Sequence, residues 1–142
     1  RVMRLLERIQ AGEGEPRGSA PRYEVLRLGV TWDRPTLCAR IDERLQRRMD
    51  QGMVQEVQGL LDSGVSDAFL RKLGLEYRYI TEYLLGEIPT REAMLDELGR
   101  AIKRFAKRQM TWFRRDTEIS WLDMSADPFG EACALIDAFL AD

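Results

Sequence analysis

Apolar residues recur every three or four positions along most of the chain, the spacing of helices with one buried face. Val2, Leu5, Leu6 and Ile9 predict a first helix that stops near Gly12. Glu13–Pro21 (EGEPRGSAP) is turn chemistry and reads as a loop over residues 13–22. Tyr23–Val30 (YEVLRLGV) is short and rich in β-formers, which predicts one largely buried strand. Asp33 then caps a helix through Leu37, Ile41, Leu45 and Met49, with a stop at Gly52. Met53, Val57, Leu60 and Leu61 carry a second helix to Gly64, and Ala68–Leu73 a short one broken at Gly74. Tyr77, Ile80, Tyr83 and Leu84 form the next, closed by Gly86 and Pro89.

Thr90 is a good N-cap, and Glu92 in the first turn favours the helix dipole. The helix it opens is expected to be the longest, with Met94, Leu98, Ala101, Ile102, Phe105 and Trp112 as its apolar stripe. That spacing places Trp112 in the core. Ile119–Leu122 reads as a second short strand, and Asp127-Pro128 opens a last helix through Cys133, Ile136 and Leu140. The fold class is therefore mainly α with one or two short strands. Residues 1–12 are expected as a helix end and residues 23–142 as the C-terminal part of a core domain, one strand followed by helices. A strand as apolar as Val25–Val30 needs neighbours on both edges. The rest of its sheet is expected in sequence beyond this chain, which begins at Arg1 and not at Met.

Composition narrows the chemistry. The chain is 142 residues, 44% hydrophobic and 32% charged, with room for one moderate core. No apolar run approaches the ~20 residues of a membrane span, and no signal-peptide pattern opens the chain, so a cytoplasmic setting without membrane partners is expected. There is no histidine, which excludes histidine acid–base chemistry, Ser-His and Cys-His arrangements and His-ligated zinc. Cys38 and Cys133 lie in apolar helical patterns and are expected as free thiols. The net charge is −2, yet Arg100–Arg115 holds seven basic residues and no acidic one. Within it Lys103, Arg104, Lys107 and Arg108 share one helix face, while Gln109 and Trp112 offer hydrogen bonding or stacking. Such a face suits a phosphate backbone, and equally a solvated helix surface.

The run Ala106-Lys107-Arg108-Gln109-Met110-Thr111-Trp112-Phe113-Arg114 resembles the signature near the end of tRNA dimethylallyltransferases. Arg40-Ile41-Asp42-Glu43-Arg44, followed by Met49, Gly52, Glu56, Val57 and Leu61, resembles the family's segment after its last core strand. Arg1-Val2-Met3-Arg4 with Leu6-Glu7 resembles its arginine-rich helix start, and Tyr83-Leu84-Leu85-Gly86-Glu87-Ile88 its turn before the long helix. One element departs from the pattern. In Gly74-Leu75-Glu76-Tyr77-Arg78 the glycine and tyrosine stand two residues further apart than is usual in the family.

The resemblance implies the C-terminal part of an α/β parent of P-loop type. It implies transfer of a dimethylallyl group from its diphosphate to N6 of the adenosine beside the anticodon. Arg44, with Arg40, would meet the diphosphate. Arg1, Arg4, Gly74, Tyr77, Arg78, Lys107, Arg108 and Gln109 would meet the tRNA anticodon loop. The family's phosphate loop, Gly-x-x-x-x-Gly-Lys-Ser/Thr, is not in this sequence. Its general-base aspartate and its magnesium site are expected in the N-terminal half of the same protein. No catalytic residue and no metal ligand is assigned here: Asp33 reads as a helix cap, Asp42 as a solvated carboxylate, and Asp50 is given no catalytic role. A monomer is expected. Two other readings stay open, a non-catalytic helical RNA-binding module and a structural domain whose basic helix meets an acidic protein.

Overall fold

The computed structural model describes residues 23–141. The first predicted helix, with Arg1 and Arg4, and the loop over residues 13–22 lie outside the described residues. The chain enters through strand β1 (Arg27–Thr31) and passes into helix α1 (Arg34–Asp50). Asp33 Oδ2 accepts from the Thr36 amide at 3.2 Å, and a proline in the first turn gives up no hydrogen bond there. Gly52, at φ 91°, allows the left-handed turn into α2 (Met53–Asp62). Ser66 caps the short α3 (Asp67–Leu73), which abuts α4 (Leu75–Leu84) at Gly74. Thr90 Oγ1 accepts from the Ala93 amide at 3.1 Å and starts α5 (Arg91–Phe113), the longest helix at 23 residues. Strand β2 (Ile119–Asp123) and helix α6 (Pro128–Ala141) follow.

The core lies among the helices. Leu45 and Met49 of α1, Met53 and Val57 of α2, Leu70, Ile80, Ile88, Met94 and Leu98 form one buried cluster. The apolar spacing read from the sequence therefore points inward along α1, α2, α4 and the first half of α5. Thr81, fully buried on α4, is the exception in kind, because its hydroxyl has no hydrogen-bond partner.

The two strands pair in parallel, from Arg27 opposite Ile119 to Thr31 opposite Asp123. Expected over Tyr23–Val30, the strand is instead confined to the five residues that β2 can match, since a ladder extends only where a partner offers hydrogen bonds. Gly29 faces Trp121 across the pair. A Cβ there would come within 2.7 Å of Ile119 Cγ2 and 2.8 Å of Trp121 Cε3, so the indole crosses β1 over bare backbone. Leu28 and Val30 remain 37% and 63% exposed, which departs from the buried strand expected. Parallel sheets normally cover both faces, and this pair has a single ladder among the described residues.

Three substitutions test this packing in urea unfolding. Leu70→Ala, at a fully buried site, lowers stability by about 2–5 kcal/mol. Thr81→Val raises it by about 1 kcal/mol, because a buried hydroxyl without a partner is removed at nearly constant volume. Gly29→Ala lowers it by about 1–3 kcal/mol through overpacking against Trp121.

Candidate anion and nucleic-acid interface

Charge on α1 is distributed unevenly among its partners. Its three acidic residues are all engaged: Asp42 Oδ2 accepts from Lys103 Nζ at 2.7 Å, Glu43 pairs with Arg47 at 2.6 Å, and Asp50 accepts from Gln46 at 2.9 Å. Its arginines are less fully matched. Arg40 lies over the Trp32 ring at 4.5 Å, a cation–π contact, and has no carboxylate partner among the described residues. Arg44, exposed and one turn on, has no ion-pair partner among the described residues. Arg48, half-buried a further turn on, donates only to the Met53 sulfur at 3.2 Å.

These side chains border two adjoining depressions. A groove of ≈ 360 Å³ is lined by Trp32, Leu37, Arg40, Arg44 and Arg47, with Glu43 at its edge. A smaller pocket of ≈ 30 Å³ lies between α1, α4 and α5, with Arg44, Arg48 and Glu76 among its walls and Ile102 as part of its apolar lining. Arg44 belongs to both. The groove is wide and carries an excess of guanidinium; the pocket is narrow and more nearly balanced.

The predicted RNA-contacting residues fall in two places. Tyr77 and Arg78 follow the pocket-lining Glu76 on α4, and both already have intramolecular partners. The Tyr77 hydroxyl donates to Glu56, a bond that together with burial raises the phenol above its ordinary pKa. Arg78 donates to Glu82 at 2.8 Å, which raises its pKa and keeps it charged. Gly74 is an exposed joint where an added Cβ would meet nothing within 4 Å. Lys107, Arg108 and Gln109 are exposed on the distal part of α5, with Arg108 5.7 Å from the centre of the Phe105 ring. The basic face read from the sequence is split, because Lys103 turns to Asp42 and braces α5 on α1.

Trp112 is not in the core. It is 64% exposed and meets Phe113 edge-on at 5.0 Å between ring centroids. The fully buried positions of α5 run from Met94 to Ala101, Ile102 still packs on the core, and beyond it the stripe residues Phe105 and Trp112 are exposed. Reading the sequence by itself missed Trp32, Arg48 and Glu76. The spacing of Arg48, four residues after Arg44, was the available signal.

The joint between α3 and α4 is fixed by a fork. Arg71 donates through both terminal nitrogens to Glu87, one of these bonds at 3.1 Å, and also reaches Glu82 at 3.2 Å and Asp67 at 3.5 Å. The Arg71 fork holds the Glu87 carboxyl below its ordinary pKa. A depressed carboxyl pKa contributes stability that is present above the ordinary value and lost as pH falls through the folded one. Arg71→Ala is therefore less stable than wild type near neutral pH. The gap narrows as pH falls from the ordinary carboxylate range through the lowered pKa of Glu87, as read from denaturation midpoints. A gap that stays constant over that range would remove the fork as its cause.

Comparison with known proteins places this geometry in context. The sequence model of a family described as IPP transferase matches residues 1–116. A tRNA dimethylallyltransferase 2 of Shewanella sediminis is 46% identical over 126 residues, covering 86% of this chain and 42% of that protein. A tRNA dimethylallyltransferase 1 of Geotalea daltonii is 46% identical over 140 residues, covering 94% of this chain and 45% of that protein. The crystal structure of a full-length tRNA isopentenylpyrophosphate transferase from Bacillus halodurans superposes with a TM-score of 0.72 at 33% identity, over 99% of this chain and 43% of that one. The chain thus spans under half the length of these relatives.

Proposed function

The chain belongs to the IPP transferase family, and from that premise we propose that it supplies the C-terminal part of an enzyme that prenylates tRNA. The reaction moves a dimethylallyl group from its diphosphate to N6 of the adenosine beside the anticodon. The amine nitrogen forms a bond to the allylic carbon, the carbon–oxygen bond breaks, and the diphosphate leaves with the electron pair. The amine proton passes to a base that this reading assigns outside the chain. Charge accumulates on the leaving diphosphate, and stabilising it lowers the barrier.

The observation that carries the reading is the guanidinium of Arg44, without an ion-pair partner among the described residues, beside Arg40 in the α1 groove. A permanently charged, forked donor without an internal carboxylate is suited to phosphate oxygens, and each such charge-assisted bond is worth ~1.5–3 kcal/mol. Tyr77, Arg78 and the exposed Lys107, Arg108 and Gln109 are assigned to the RNA, with Arg1, Arg4 and Gly74. Among the described residues no three acidic or cysteine side chains gather as metal ligands. Magnesium is assigned in this reading to the N-terminal half of the protein, and no step in this account passes through it.

Two results test the reading. In the complete native protein, Arg44→Ala lowers kcat/KM for dimethylallyl diphosphate roughly 10- to 100-fold. An unaltered kcat/KM would take Arg44 out of the donor site. The isolated 142-residue chain transfers no prenyl group to tRNA, as read by nucleoside mass spectrometry; product from the isolated chain would place the catalytic base within it.

A further inference from the structure

We infer that Arg48 and Arg44 together form a single-phosphate site for the acceptor RNA, distinct from the donor groove, with Glu76 tuning its charge. The inference deepens the proposed function and rests on it. Arg48 is set apart by its surroundings. A half-buried guanidinium ordinarily has a carboxylate, because desolvation of an uncompensated charge is costly. Here the acceptor it meets among the described residues is the thioether of Met53, a weak one. The carboxylates nearby are held elsewhere: Glu56 accepts from Tyr77, and Asp42 and Glu43 pair with Lys103 and Arg47. Glu76 shares the pocket with Arg44 and Arg48 without forming an ion pair to either.

Size and charge separate this pocket from the groove. At ≈ 30 Å³ it admits a group or two of water size, enough for the exposed oxygens of one phosphate. The neighbouring groove, at ≈ 360 Å³, has room for a diphosphate and its prenyl tail. Two guanidiniums facing one carboxylate leave the pocket a single net positive charge, which matches a phosphodiester. The groove sets three arginines against Glu43 and suits a more highly charged anion.

Position agrees with chemistry. Arg48 lies one helical turn beyond Arg44, on the side where α1 meets α4, the helix that bears Tyr77. Arg44 stands between the two depressions and is able to feel both ligands. The RNA backbone would therefore reach the donor groove across Arg48, which makes Arg48 a substrate-binding residue for RNA and not for the diphosphate.

The test uses the complete native protein, dimethylallyl diphosphate and an anticodon stem–loop RNA. In Arg48→Ala the KM for RNA rises about tenfold, the loss of one charge-assisted contact, while kcat and the KM for the donor change less than about twofold. The slope of log affinity against log salt becomes shallower by about 0.7, the value for one phosphate contact on a single strand. Arg48→Lys keeps that slope and recovers part of the affinity, since lysine retains the charge but not the fork. It also serves as the control if the alanine variant folds poorly. Glu76→Gln tightens RNA binding by removing a repulsion, an outcome that a purely structural Glu76 would not produce. An unchanged RNA KM and salt slope in Arg48→Ala, or a rise in the donor KM instead, overturns the assignment. A wild-type protein that transfers no prenyl group sinks the functional reading, and this site with it.

Discussion

The Asp42–Lys103 ion pair, 2.7 Å long, joins the two basic helices of the molecule. Exposed pairs of this kind add little to stability, on the order of 0–1 kcal/mol. Their consequence here is where charge is left over. Lys103 engages Asp42, Glu43 pairs with Arg47 on its own helix, and the residues three and four positions from Arg44 are Arg40, Ile41, Arg47 and Arg48, none of them acidic. The arginines at positions 40, 44 and 48 then form a stripe along α1 without a carboxylate partner. On the other side, α5 gives up one lysine of its basic face and keeps Lys107 and Arg108 free to face solvent. A chain with a net charge of −2 thereby presents a local surface that attracts anions.

The helical architecture serves this arrangement by fixing the two helices that carry it. Leu45 and Met49 anchor α1 while Met94 and Leu98 anchor α5, all in one buried cluster. Arg71 and its carboxylates hold α3, α4 and the following turn together, so Glu76 and Tyr77 are presented beside α1 at a set distance. The strands contribute differently. β1 and β2 make a parallel pair with Leu28, Val30 and Val25 still exposed, and α6 carries Phe129 and Leu140 at 79% and 75% exposure. Relatives of this chain are more than twice its length.

Much of this was legible in the sequence, for local reasons. Helix starts at Asp33 and Thr90 follow from side chains that accept from an amide three residues on, and the stop at Gly52 from a backbone angle that favours glycine. Periodicity identified the core faces of α1, α2 and α4. It failed at Trp112, where the spacing continues after the packing partner has ended, and the side chain is left exposed. Strand limits were misjudged because they depend on β2, more than eighty residues away. Arg40 and Arg44 stood out through a motif that resembles that of a known family, and the structure brings both to one groove. The pocket could not be anticipated, because Arg48 and Glu76 meet only when α1 and α4 pack, and no short pattern records that contact.

The central claim is that this surface belongs to a prenyl-transferring enzyme and not to a helical module that only grips RNA. Its most direct test is to incubate the complete native protein with isotopically labelled dimethylallyl diphosphate and tRNA, digest the RNA and analyse its nucleosides by mass spectrometry. The account predicts label on N6 of the adenosine adjacent to the anticodon. Salt-sensitive tRNA binding with no labelled nucleoside would contradict it and leave an RNA-binding module in its place.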